Sequence, residues 1–346
     1  MRALMLDSIG QLSLDDVSVP QPAGECLIRI TRAGICGTDL QMLDGYADFV
    51  GILGHEFVGT VHDAPDADRQ WLGKRVVGEI NVGCGVCSWC ARGVKEHCLA
   101  RTVLGIRSRH GAFAEYLSLP AANLHEVPEG MDDEAAVFVE PIAAACRILE
   151  QVAITSDTRV AVVGDGRLGN LTAQVLRTRS AHVVLFGRRP HKLQIASDVG
   201  LTTHAGDGPR DERYDVVVEA TGRPQGLARA IDLVEPRGVI VLKSTFHGAS
   251  GTPLWPIPVH EITVIGSRCG PFAEALSLLA SGAIRSRPLI ADTFALSEFE
   301  SAFARARRDL KVLFDPAAGS CHSDPSARAT STTRSSSRPL TRTRHG

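Results

Sequence analysis

The chain has 346 residues, 44% hydrophobic and 22% charged, with a formal net charge of −2. This is the composition of a globular protein long enough for two domains, with no general electrostatic pull towards nucleic acid or a membrane surface. No apolar run reaches the roughly 18–20 residues needed to span a bilayer.

The N-terminal run MRALMLDSIGQLSLDD has neither the apolar stretch nor the cleavage site of an export signal, so a cytoplasmic location is expected. In that setting nine cysteines point to thiols and metal ligation, not disulfides. Residues 1–141 carry short alternating runs such as CLIRITRAG and FVGTVHDA, broken by turn residues roughly every ten positions. They predict a β-rich, barrel-like unit. Inside it, Cys84, Cys87, Cys90 and Cys98 follow the spacing C-x2-C-x2-C-x7-C. Four thiolates that close together suit one tetrahedral zinc with bonds of about 2.3 Å, a closed and therefore structural site. A closed site directs attention to a second, open one. Cys36 in AGICGTDL, His55 in GHEF and Glu140 in VFVEP are its candidate ligands. Taken singly, each has a plainer reading: a core cysteine, a loop histidine and a glutamate that opens a helix.

The run DDEAAVFVEPIAAACRILEQV, residues 132–152, reads as one helix. Apolar strands then alternate with helices: TRVAVVG, RLGNLTAQVLRTR, HVVLFG, HKLQIASDVG, YDVVVEATG, PQGLARAIDLV, GVIVLKST and EITVIGS. This pattern predicts a parallel, doubly wound sheet. Between the first strand and helix lies G-D-G-R-L-G, with Gly164, Gly166, Arg167, Leu168 and Gly169. In that context the glycines form a dinucleotide fingerprint, whose helix N-terminus receives the pyrophosphate. The second strand ends in Gly187, Arg188 and Arg189, with no acid to bind a ribose 2′-hydroxyl. Two guanidiniums there predict NADP in preference to NAD, against the alternative of a solvated loop edge. The tail 317–346 is dominated by Ser, Thr and Arg and is expected to be disordered.

The motifs G-I-C-G-T-D, G-H-E-F-x-G, the four-cysteine lobe, G-A-F-A-E-Y, the E-P helix start and the fingerprint occur in one order over residues 1–315. In this the chain resembles the zinc-dependent medium-chain dehydrogenase/reductase family, which includes alcohol, polyol and threonine dehydrogenases. The resemblance implies a GroES-like catalytic domain at 1–141 and 271–316, with the zinc lobe at 84–98, and a Rossmann domain at 142–270. It implies two zincs per chain. Cys36 and His55 would bind the catalytic one, with Glu140 as third ligand and Cys146 as its competitor. Glu56 resembles the family's auxiliary acid, and Asp39 the acid that orients the zinc-bound histidine. Gln41 stands where many members carry a relay histidine, so Thr38 is left to accept the alcohol proton. The implied activity is reversible hydride transfer between an alcohol, polyol or sugar-derived alcohol and NAD(P), in a homodimer or homotetramer. The loops at Gly45–Phe49 and Ile106–His110, and the segment after Ser267, would form the substrate pocket. A zinc-independent reductase of the same superfold and a non-catalytic zinc-ribbon module are the competing readings.

Overall fold

The computed structural model describes all residues except 9–10, 22–23, 46–48, 207, 209–210, 246–250 and 319–346. The tail beyond Ala318 and the middle of the Gly45–Phe49 loop therefore lie outside the described residues.

A seven-stranded, mainly antiparallel sheet runs in the order Leu124–Glu126, Arg75–Gly78, Glu56–Asp63, Cys26–Gly34, Lys311–Asp315 and Ile290–Ala295, with Tyr116–Leu119 also pairing on Cys26–Gly34. The last strands of the chain thus return to the first half: Leu313 pairs with Gly34 and Phe314 with Ala33. Phe113 seals the junction, with its ring centroid 5.0 Å from Phe314 and 6.1 Å from Phe303. A smaller sheet places Arg2–Ser8 between Gln11–Asp16 and Gly51–Ile52.

The second large sheet is six-stranded and wholly parallel. In chain order its strands are Val160–Val163 (β1), Val183–Gly187 (β2), Thr202–Ala205 (β3), Tyr214–Glu219 (β4), Val234–Leu242 (β5) and Thr263–Gly266 (β6). They lie across the sheet as β3-β2-β1-β4-β5-β6. The order in which strands are added reverses between β1 and β4, where open α/β sheets leave a ligand crevice. All four residues of β1 are buried, as expected of a central parallel strand covered by helices on both faces. The helices Val139–Gln151 and Phe272–Ala280 pack together between the two sheets, and the first also meets the fingerprint helix Arg167–Arg177.

Two local features differ from the sequence expectation. The run 132–152 is not one helix but two, Asp133–Ala136 and Val139–Gln151. Pro141 is the cause: a proline fits the first turn of a helix, whereas deeper inside it would clash with the carbonyl four residues back. The helix therefore restarts just ahead of it. Strand β3, with the sequence Thr-Thr-His-Ala, carries no apolar alternation and pairs only with β2, so its pattern gave no signal. No described helix is long and apolar enough to cross a membrane.

Candidate active site

The site forms where the strand Cys26–Gly34 turns into the helix Gly37–Leu43. Cys36 is the extended N-cap of that helix, and its N–H donates to Asp39 Oδ2 at 2.7 Å. Asp39 is fully buried, and its Oδ1 lies 3.3 Å from Nδ1 of His55, itself only 3% exposed. One carboxylate therefore fixes the cysteine backbone and the imidazole ring together. The Thr38 hydroxyl lies 3.9 Å from Cys36 Sγ.

Cys36, His55 and Glu56 bring their donor atoms within 4.8 Å of one another. Desolvation pushes the Cys36 thiol up, but His55 outweighs it and brings the pKa down to about 6. Desolvation also opposes a charged His55, yet Asp39 and then Cys36 overcome it and raise the imidazole well above its usual range. Both Glu56 carboxylate oxygens are buried without a hydrogen-bond donor, and the fully buried Lys311 ammonium pairs with Oε2. Gly34 permits this crowding, since a Cβ there would come within 2.6 Å of Lys311 Nζ. A thiolate, an imidazole and an under-satisfied carboxylate in one dry place form a donor set that fits zinc.

Glu140 stands apart from this trio. It lies in the first turn of the helix Val139–Gln151 and makes no hydrogen bond or ion pair among the described residues. Desolvation, with Cys36 adding to it and His55 and Lys243 opposing, raises its carboxyl to about 7. Sequence reasoning gave Glu140 the ligand role and Glu56 the auxiliary one; the geometry draws Glu56 into the cluster and leaves Glu140 unpartnered beside it. Cys146 is 1% exposed, and burial pushes its thiol up to about 12. It lies outside the group formed by Cys36, His55 and Glu56.

Cys84, Cys87, Cys90 and Cys98 also converge, with all four sulfurs within 4.8 Å of one another and Cys87 3.6 Å from Cys90. A tetrahedron with Zn–S arms of 2.3 Å has edges of about 3.8 Å, so the lobe fits a zinc. Backbone N–H groups of Val86 and Cys87 help bring Cys84 down to about 6. Glu79 fastens the lobe to the sheet, meeting Lys95 and His125 at 2.8 Å each.

The crevice at the carboxyl ends of β1, β2 and β4 has a volume of about 1250 Å³ and is lined by Gly164, Gly166, Arg188 and Arg189. Gly164 has φ +128°, and a Cβ on Gly169 would overlap the Gly164 carbonyl oxygen. A Cβ on Gly166 would meet nothing within 4 Å, so that backbone is open to a phosphate. Leu168 and Arg167 do not line the crevice. Leu168 lies in the first turn of the fingerprint helix. Arg167 reaches across to the other sheet, where Nη1 donates to the Ile35 carbonyl at 2.5 Å.

Several residues of the site escaped sequence reasoning. Asp165, between the first two glycines, accepts from the N–H groups of Arg188 and Arg189 at 2.7 Å each. Gln41, read only as a lost relay, donates to the Thr245 carbonyl at 2.9 Å and accepts from its hydroxyl at 3.2 Å, tying the two sheets together. Lys243, 8% exposed, donates to Ser267 Oγ at 3.1 Å. Arg109, in the Ile106–His110 loop expected to border the substrate, is held by both oxygens of Glu25 at 2.9 Å. Lys243 follows a strand and Lys311 opens one, and their burial is legible only in three dimensions.

Residues 22–129 match the alcohol dehydrogenase GroES-like domain, and residues 133–315 match the glucose dehydrogenase C-terminus. The erythritol/L-threitol dehydrogenase of Mycolicibacterium smegmatis is 30% identical over 355 residues, covering 92% of this chain and 98% of that protein. Among solved structures, a chain from Sinorhizobium meliloti 1021 described as a zinc-binding dehydrogenase and bound to NADP is 30% identical, with TM-score 0.84 over 91% of this chain and 99% of that one. A chain from Escherichia coli CFT073, described as a short chain alcohol dehydrogenase and complexed with NADH, is 27% identical, with TM-score 0.83 over the same 91% of this chain and 99% of its own. This chain belongs to the zinc-dependent medium-chain dehydrogenase/reductase family. It is an oxidoreductase of the alcohol and polyol dehydrogenase class, working with zinc and a nicotinamide cofactor.

A carboxyl whose folded pKa is raised lends stability that is complete below its unfolded value and is lost as pH rises through the folded one. For Glu140 that window runs from about 4.5 to about 7. In zinc-free protein, Glu140→Gln should therefore raise the Tm relative to the parent at pH 8 and leave it nearly unchanged at pH 4.5. Thermal unfolding at the two pH values checks this, and an equal difference at both would contradict it.

Proposed function

We propose that this protein oxidises a secondary alcohol, polyol or sugar-derived alcohol at a zinc held by Cys36, His55 and Glu140, with NADP as the preferred cofactor and a second, structural zinc in the lobe at Cys84, Cys87, Cys90 and Cys98. The observation that carries the reading is the Asp39 carboxylate shared between the Cys36 N–H and His55, beside a Glu140 carboxyl that makes no hydrogen bond or ion pair among the described residues. Glu140 is favoured over Glu56 as third ligand because Glu56 is already paired with Lys311. A residue with a free carboxyl near pH 7 gives up its proton readily to a divalent cation.

When bound, the zinc would polarise the alcohol oxygen and the nicotinamide would accept the hydride. The chain's own groups do the rest. Asp39 keeps the imidazole in one tautomer and orientation. Thr38 accepts the alcohol proton and passes it to the cofactor side, since Gln41 is engaged with Thr245. Gly164, Gly166 and the N-terminus of the fingerprint helix hold the pyrophosphate. Arg188 and Arg189 flank the ribose and meet a 2′-phosphate, while Asp165 occupies their backbone N–H groups and so fixes the turn. The proposed domain division assigns 1–141 and 271–316 to catalysis and 142–270 to the cofactor. A second copy of the chain would cover the edge strand β6 and its exposed neighbours Leu254, Trp255 and Val259, 57%, 64% and 62% exposed.

Cys36→Ala should abolish turnover while leaving the far-ultraviolet circular dichroism unchanged; full activity in that variant would remove the proposed site. With any substrate found, kcat/KM should be at least about tenfold higher with NADP than with NAD, since losing a charge-assisted phosphate contact costs roughly 1.5–3 kcal/mol. A clear NAD preference would overturn the assignment of Arg188 and Arg189.

A further inference from the structure

The segment that carries Cys36 is anchored to the parallel-sheet half at both of its ends. At one end Arg167 Nη1 donates to the Ile35 carbonyl at 2.5 Å. At the other, Gln41 Nε2 donates to the Thr245 carbonyl at 2.9 Å, and the Thr245 hydroxyl donates back to Gln41 Oε1 at 3.2 Å. Cys36, Thr38 and Asp39 lie between the two anchored positions.

The anchors reach different parts of the parallel sheet. Arg167 is the first residue of the fingerprint helix Arg167–Arg177, and Gly166 is its N-cap. The backbone N–H of a first helical residue has no partner within the helix and is free for an anion. One residue therefore offers its backbone to the pyrophosphate and its side chain to the carbonyl next to Cys36. Thr245 follows β5, which lies beyond β4 in the order of the sheet. With the adenosine phosphate at Arg188 and Arg189 after β2, the nicotinamide half of a dinucleotide extends over the β4–β6 side. The two anchors thus correspond to the middle and the nicotinamide end of the cofactor. Arg167 is the more demanding of the two. Desolvation weighs against its charge, Cys36 and Asp39 favour it, and it forms no ion pair with a carboxylate among the described residues. A partly buried cation with one neutral acceptor is a poor device for stability alone. A pyrophosphate at the same helix end adds a counter-charge.

We propose that Arg167 and Gln41 are positioning residues that lock the segment 35–43 to the bound cofactor, so that Cys36 and Thr38 keep a fixed distance from the hydride acceptor. The inference rests on the cofactor placement proposed above and deepens it. Gln41, standing where a relay histidine would be, fastens the segment instead of carrying a proton. A misplacement of about 1 Å can cost roughly a hundredfold in rate, so the fastening bears directly on turnover.

Amide hydrogen exchange on the zinc-loaded enzyme, with and without NADPH, tests this. NADPH should slow exchange in residues 35–43 by about tenfold, a common size for coupling between two sites. Arg167→Met and Gln41→Ala, singly and together, should bind NADPH within about threefold of the parent, because the helix N–H groups remain. They should weaken that slowing, and the pair should abolish it. Arg167→Lys, which keeps a charged donor, should retain most of it. Slowing that persists in the double variant, or that is absent from a parent that binds NADPH, overturns the inference. So does loss of NADPH binding in the Arg167→Met variant, which would make Arg167 a phosphate ligand. NADH takes the place of NADPH if it binds more tightly, and then only the cofactor preference falls. A parent that binds neither removes the dehydrogenase reading together with the inference.

Discussion

The carboxylate of Asp39 sets the geometry on which the site depends. One oxygen receives the Cys36 N–H and the other faces His55. Because the acid sits in the first turn of a helix, the positive end of the helix dipole stabilises its charge. Because it is fully buried, water does not compete for either contact. A thiol from the end of one strand and an imidazole from the start of another are thereby held in a single orientation. Cys36 and His55 would otherwise be separate residues on neighbouring loops, each with a choice of rotamers.

The same place gathers an unusual amount of buried charge. Cys36 and Asp39 feel Lys311 from one sheet and Arg167 from the other, Glu56 pairs with Lys311, and Glu140 feels His55, Cys36 and Lys243. Isolated charges are costly in such surroundings, and they persist only when paired, titrated or bound to a cation. The arrangement also joins the two sheets. Arg167 leaves the fingerprint helix to hold the carbonyl beside Cys36, and Gln41 leaves the helix after Cys36 to hold Thr245. Each half therefore contributes to positioning the reacting groups of the other.

The sequence made the larger features legible for physical reasons. The fingerprint glycines are needed where Gly169 packs on the Gly164 carbonyl and where Gly166 leaves the backbone open, and the central strands are apolar because helices cover both of their faces. The cysteine spacing restricts itself to a lobe small enough for one ion. Other features left little trace. β3 is an edge strand of polar residues, and the break at Val137–Phe138 depends on the position of Pro141 within a turn. The competition between Glu56 and Glu140 depends on Lys311, more than 250 positions away along the chain from Glu56. Asp165 and Gln41 read as variable positions in known motifs until their partners across the crevice are seen.

The central claim is an open metal site at Cys36 and His55, distinct from the closed lobe. Anomalous diffraction at the zinc absorption edge from crystals of the zinc-loaded protein tests it most directly. The account predicts two peaks in each chain, one enclosed by the four lobe cysteines and one beside Cys36 and His55 within bonding distance of a carboxylate. A single peak, confined to the lobe, would contradict it.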